Sequence, residues 1–180
     1  KAGIPEGLID SHWIGMLNYS LVIGWSAERY GADGPKNWAE FWDVKKFPGK
    51  RAMFGKPTHN LEAALMADGV APKDVNGVLQ AEGGVDRAFA KLAEIAPHVT
   101  VWYSGGSQAA QLMKDGEVDL IHIGNGRAES IMADGAKVKY TWNQATLDAD
   151  CALIPKGAPN KKMAMKVINQ IISAKSQARM

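Results

Sequence analysis

Two short segments carry residue types placed for chemistry. The first is Asp150, at the head of the otherwise apolar run Cys151-Ala152-Leu153-Ile154. An unpaired acid in such a strand is costly, whereas a carboxylate that accepts the N–H donors of a cationic solute offsets the water the solute gives up. A local backbone contact or a salt bridge would satisfy it equally. The second is Tyr103-Ser104-Gly105-Gly106-Ser107-Gln108, between an expected strand and an expected helix. Free N–H groups at a helix N-terminus favour a carboxylate or another anionic oxygen, and the glycines let it come close. Ser107 can also serve there as an ordinary N-cap. The two segments together suit a small zwitterion, or an amine with one acidic end.

The same glycine-rich loop opens an enzymatic reading. Gly105-Gly106-Ser107-Gln108-Ala109 approximates the nucleophile elbow G-x-S-x-G, with Ala in the last position. An α/β hydrolase-like enzyme would then use Ser107 as nucleophile, with Asp119 and His122 following in the order Ser, Asp, His. Those two lie three residues apart on one short strand and so point to opposite faces. They can hardly form one relay. His12, His98 and His122 are scattered without metal-ligand spacing, and Cys151 is the single cysteine. No metal, no cofactor and no intrachain disulfide is expected, and Cys151 reads as a small buried hydrophobe.

Strands alternating with helices position these residues. The apolar run at 19–26 reads as a buried strand. Asn37 caps a short helix whose Trp38, Phe41 and Trp42 share one core face. Strands are expected at 51–54, 99–103, 118–123, 138–142 and 149–154, with a short one at 77–80 among glycines. Helices are expected at 59–68 (closed by Gly69), 85–96, 107–114, 127–133 and 160–174. The short connections suit βα units, so the fold class is α/β with a largely parallel sheet. The last helix carries Ala164, Val167, Ile168 and Ile171 with nothing after it to pack against. The first twenty residues hold Trp13, Ile14, Met16 and Leu17 with no preceding partner. Both ends read as cut from something larger.

Composition narrows the classes. The 180 residues are 46% hydrophobic and 22% charged, as in a globular chain with a real core. Six Trp, four Tyr and four Phe in a balanced sequence exclude a disordered chain. No apolar run approaches the ~20 residues of a helical membrane span. A net charge of +2, from 21 basic and 19 acidic residues well mixed, gives no ground for a nucleic-acid partner.

Several segments, in order and spacing, resemble the periplasmic solute-binding proteins of bacterial ABC transporters, specifically the spermidine/putrescine-binding group. They are Pro35-Lys36-Asn37-Trp38-Ala39-Glu40-Phe41-Trp42-Asp43, Phe47-Pro48-Gly49-Lys50-Arg51, Gly116-Glu117-Val118-Asp119 and Asn125-Gly126-Arg127-Ala128. Asp150 and Ile154-Pro155-Lys156-Gly157-Ala158-Pro159-Asn160 complete the set. The resemblance implies a two-lobed architecture with hinge strands and a solute trapped between the lobes. Residues 1–26 would then be the end of the first lobe and a hinge strand, 27–145 the second α/β lobe, and 146–180 the return hinge strand and a first-lobe helix.

The resemblance also assigns expected contacts. Asp150 matches the family carboxylate that pairs with a ligand amine, and His59 falls where a second-lobe carboxylate stands. Asn125 lies in the matching Asn-Gly segment. Trp142 and Asn143, just before the return crossover, and Trp25, on the first crossover, are placed to line the cleft, Trp142 as a wall for apolar or cationic atoms. Departures bear on the ligand. Gly124 and Asp148 replace two aromatics of the polyamine binders, and His59 replaces an acid, so the fold carries over more firmly than the polyamine. The expected function is a periplasmic, monomeric, non-enzymatic binding protein that hands a small cationic or zwitterionic solute to an inner-membrane ABC permease. A non-transport ligand-sensing domain of the same fold is the other reading the resemblance allows.

Overall fold

The computed structural model describes residues 4–178. Two compact units emerge: Ser20–Thr146, and the described residues up to Tyr19 together with those from Leu147 onward. Among the described residues the strands are β1 (Trp13–Ser26), β2 (Arg51–Phe54), β3 (Val99–Tyr103), β4 (Leu120–Gly124) and β5 (Val138–Leu153). The helices are α1 (Ala27–Tyr30), α2 (Trp38–Trp42), α3 (Asn60–Ala67), α4 (Val75–Gln80), α5 (Gly84–Ile95), α6 (Gly106–Lys114), α7 (Asn125–Ala133), α8 (Lys161–Ile171) and α9 (Ala174–Gln177).

In the larger unit the sheet order is β3-β2-β4-β1-β5. β2 runs parallel to both β3 and β4, while β1 is antiparallel to β4, with Leu21 opposite Gly124 and Trp25 opposite Leu120. The sheet is therefore mixed rather than largely parallel. Only the β2–β3–β4 stretch is built of helical crossovers that return the chain in one direction. The pleat sorts side chains between two cores: Ile23, Trp25, Met53 and Leu120 on one face, Val22, Ala52, Ile121 and Ile123 on the other. Trp38 and Phe41 of α2, with Ala63 and Leu65 of α3 and Ala88 and Ile95 of α5, fill the first. Ala109 and Leu112 of α6, with Ala128 and Ile131 of α7, fill the second. The aromatic stripe of α2 is core as expected, and Asn37 Oδ1 accepts the Glu40 N–H at 2.9 Å.

Three expectations need correction. The segment at 77–80 is the end of α4, not a strand. Val75, Val78 and Leu79, at i, i+3 and i+4, pack on the first core, a helical spacing that Gly77 within it and Gly83-Gly84 after it obscured. The segments at 138–142 and 149–154 are one sixteen-residue strand, β5. Its polar middle broke the apolar pattern but not the extended backbone, although Gln144 departs from it with φ 59°. Cys151 is exposed rather than buried.

Helix ends follow their signals. After α3 the chain turns through Gly69 at φ 90°, and the Val70 N–H reaches back to Leu65 O at 2.9 Å. Gly84 begins α5 against the last turn of α4, where an added Cβ would lie 1.7 Å from the Val78 carbonyl oxygen. Backbone cannot give way as a flexible side chain can. Gly84→Ala is expected to cost about 1–3 kcal/mol of stability, read as a lowered denaturation midpoint at unchanged m-value.

In the smaller unit, Trp13, Ile14 and Ile168, three of the residues that the sequence left without partners, line a common cavity of about 430 Å³. Trp13, Ile14 and Leu153 contribute from β1 and β5, Met165 and Ile168 from α8. Leu153, at 62% exposed, and Val167, at 50%, keep much of their surface in solvent.

Candidate solute site

Because β2, β3 and β4 run the same way, their C-terminal ends meet along one edge of the larger unit, and α3, α6 and α7 begin there. Crevices at the carboxyl ends of strands in open α/β sheets are where such folds take ligands. Gly105 and Gly124 are the N-caps of α6 and α7, and neither helix has a side-chain hydrogen bond at its cap. The first-turn N–H groups are thus left for solvent or a bound anion. Ser107 is not the N-cap; it lies inside the first turn of α6, exposed. Gln108 folds back so that its Oε1 accepts the Ser104 N–H at 2.9 Å.

Arg127 completes this edge. An added Cβ on Gly106 would stand 3.1 Å from Arg127 Nε and 3.4 Å from its Cγ, so the guanidinium stem lies directly against the start of α6. A cation beside a helix N-terminus is electrostatically unfavourable by itself. Guanidinium and amide N–H groups are all donors, and a carboxylate satisfies both at once. Arg127 stands in one of the family-like segments, but the helix expected from 127 begins two residues earlier, at Asn125. The later start hid how the side chain reaches back to Gly106.

His59 and Asn125 also stand on this edge, each engaged with the chain. His59 caps α3 in a left-handed conformation (φ 67°), is 7% exposed, and its Nδ1 lies 3.1 Å from Thr146 Oγ1. Asn125 Oδ1 accepts the Ser20 N–H at 2.9 Å. Beneath them, Asn60 donates its amide to the Phe54 and Lys56 carbonyls, and its Oδ1 meets His122 Nδ1 at 3.0 Å. This arrangement assigns the His122 proton to Nδ1, while Nε2 has no partner. Full burial, with His59 nearby, pushes the His122 pKa down to about 3. Trp38 crosses the His122 ring edge-on at 4.7 Å and donates its backbone N–H to Gln144 Oε1 (2.8 Å) and its indole N–H to Gln144 O (3.0 Å).

Trp25, expected in the cleft, is not on this edge. Trp25 pairs with Leu120, at the opposite end of β4 from Gly124. It is 2% exposed, donates its indole N–H to Gly31 O at 3.2 Å, and lies so close to Gly34 that a Cβ there would come within 2.2 Å of its ring. It is a core tryptophan. Trp142 is 57% exposed and meets the Tyr140 ring edge-on at 5.4 Å, while Asn143 Nδ2 donates to Lys36 O at 2.9 Å. The residues of the hydrolytic reading are also dispersed. Asp119 sits before the N-terminal end of β4, accepting from Arg29 Nη1 (3.2 Å) and the Lys50 N–H (2.8 Å), and His122 is sealed in the core.

In the smaller unit, Asp148 and Asp150 alternate onto one face of β5. Tyr19 donates its hydroxyl to Asp148 Oδ2 at 3.0 Å. Burial, the Asp148 hydrogen bond and the charges of both carboxylates push the Tyr19 phenol up to about 12. The phenol is therefore a fixed proton donor, and Asp150 is exposed beside the pair. Asp148 escaped the sequence reading as a contact because it stood there only as the loss of an aromatic. Among the described residues no group of three or more His, Cys, Asp or Glu is arranged to hold a metal ion.

A mixed sheet entered and left by two long strands, with uncapped helix starts along one edge, defines a lobe of the periplasmic-binding-protein type. The chain belongs to the bacterial extracellular solute-binding protein family, whose model matches residues 4–180. It is 37% identical over 150 residues to a gamma-aminobutyric acid-binding protein of Pseudomonas aeruginosa, covering 83% of this chain and 42% of that protein. Identity to a spermidine/putrescine-binding periplasmic protein of Escherichia coli is 26% over 169 residues, covering 86% of this chain and 45% of that protein. The crystal structure of the binding protein MotA from Agrobacterium tumefaciens B6, in complex with glucopine, superposes with a TM-score of 0.93 at 44% identity, covering 98% of this chain and 55% of that one. The chain spans under half the length of the curated relatives it matches. These relatives are named for binding rather than catalysis, and the family is extracellular, in keeping with a periplasmic location.

Proposed function

We propose that the full-length protein is the substrate-binding component of a bacterial ABC importer, and that its solute carries an amine at one end and a carboxylate at the other. It acts as a monomer, performs no chemistry, and passes the solute to an inner-membrane permease. The observation that carries this reading is Arg127 lying against Gly106 at the uncapped start of α6. That cluster of donors, on the larger unit, takes an anionic oxygen; on the smaller unit, Asp150 and Asp148 are of the type that accepts from an ammonium group. At the α6 edge of the larger unit every group described is a donor, so an ammonium finds no acceptor there. Gly124 also lacks the aromatic face that a polyamine packs against. The relative named for gamma-aminobutyric acid, at 37% identity, supports an amino acid over a polyamine.

The test is a thermal-shift and calorimetric comparison of 4-aminobutyrate, putrescine and glycine betaine on the full-length protein. At 1,000 times its Kd, 4-aminobutyrate is expected to stabilise by about 4 kcal/mol, with putrescine and betaine far weaker. Stabilisation by putrescine alone rejects the zwitterion reading.

A further inference from the structure

The chain passes from one unit to the other at Tyr19–Ser20 and again at Thr146–Leu147. On the larger unit's side, both crossings are held by side chains from the strand-end edge. β4 stops at Gly124, opposite Leu21, so the backbone ladder runs out just where Ser20 needs an acceptor. Asn125 Oδ1 supplies it at 2.9 Å, extending the ladder by one position with a side chain. At the other crossing, His59 Nδ1 meets Thr146 Oγ1 at 3.1 Å. Two residues earlier Gln144 holds a left-handed backbone at φ 59°, clasped through its carbonyl and its side chain by Trp38.

We propose that His59 and Asn125 are positioning residues. They pin the two chain crossings to the larger unit and so set where its protected backbone ends along β1 and β5, rather than contacting the solute. Both atoms named are already engaged with the chain. The placement is economical, since each anchor belongs to the start of a helix, α3 or α7, that borders the candidate site. The anchoring does not rest on the solute reading, and its test needs no ligand.

Hydrogen–deuterium exchange resolved to single amides, on the solute-free full-length protein, reads it directly. Asn125→Ala is expected to speed exchange at the Ser20 amide at least tenfold while Leu21–Trp25 stay protected. Asn125→Asp, which keeps an acceptor at the same position, should restore near-wild-type exchange. Thr146→Val, which loses only a hydroxyl, should loosen residues 144–148, and Thr146→Ser should not. Should Asn125→Ala fail to fold, the Thr146 pair carries the same comparison. Unchanged exchange in Asn125→Ala and Thr146→Val overturns the proposal, as does equal loosening by the conservative and the disruptive variants.

Discussion

Asp150→Asn in the full-length protein is expected to weaken binding of 4-aminobutyrate by about 2–5 kcal/mol, a loss of roughly 30-fold to several thousand-fold in Kd. The substitution keeps size and one acceptor oxygen, so the loss reports charge. An ammonium that leaves water for a closed site needs an opposite charge, and a neutral amide leaves it only a dipole. Asp148→Asn should cost less, because one Asp148 oxygen is already committed to the Tyr19 hydroxyl at 3.0 Å. The contrast distinguishes two carboxylates that share one face of β5. Isothermal titration of wild type and both variants settles the order. A loss below about 0.5 kcal/mol for Asp150→Asn removes it from the site.

The second large effect is on stability and comes from His122. Its imidazole is buried and neutral in the fold, with a pKa pushed down to about 3, against about 6.5 in an unfolded chain. Between those values the unfolded chain binds a proton that the native protein does not, so stability rises with pH across the window. The contribution is fully present above about pH 6.5 and is lost progressively as pH falls toward 3, on the order of 5 kcal/mol over the whole span. His59 faces the same ring and adds repulsion if the imidazole charges. Urea titrations from pH 7 to pH 4 should show wild type losing stability faster than His122→Gln, which cannot protonate. Parallel pH profiles for the two proteins would mean that His122 is hydrated or already charged.

The legibility of this chain divides along physical lines. Helices α3, α5, α6 and α7 could be placed within a residue or two because turn or breaking residues bound them, as Gly69 after α3 and Pro97 after α5 show, and α5 adds a clear apolar stripe. α4 was lost because six residues carry too little periodicity to outvote the glycines around them. β5 looked like two strands because a half-exposed strand has no reason to be apolar throughout. The site was harder. Asp150 and the Gly105–Gly106 loop could be named from residue type, but the partners that give them meaning come from distant segments. Tyr19 lies 129 residues from Asp148, and Arg127 meets Gly106 only through packing of α7 beside α6. Trp25 illustrates the reverse error, an aromatic on a crossover strand whose ring turned inward.

The division of the chain also bears on the order of folding. Ser20–Thr146 is one uninterrupted stretch, whereas the smaller unit is assembled from pieces on either side of it. An uninterrupted stretch can collapse from its own contacts, and its β2–β3–β4 core is linked by crossovers within the stretch. The flanking pieces face a different problem, since closing a disordered loop of well over a hundred residues carries an entropic cost before any contact rewards it. Contraction of the intervening stretch removes most of that cost by bringing Ser20 and Thr146 into one compact body. Residues 20–146 alone are therefore expected to fold cooperatively in a denaturant titration, whereas the flanking pieces alone are not.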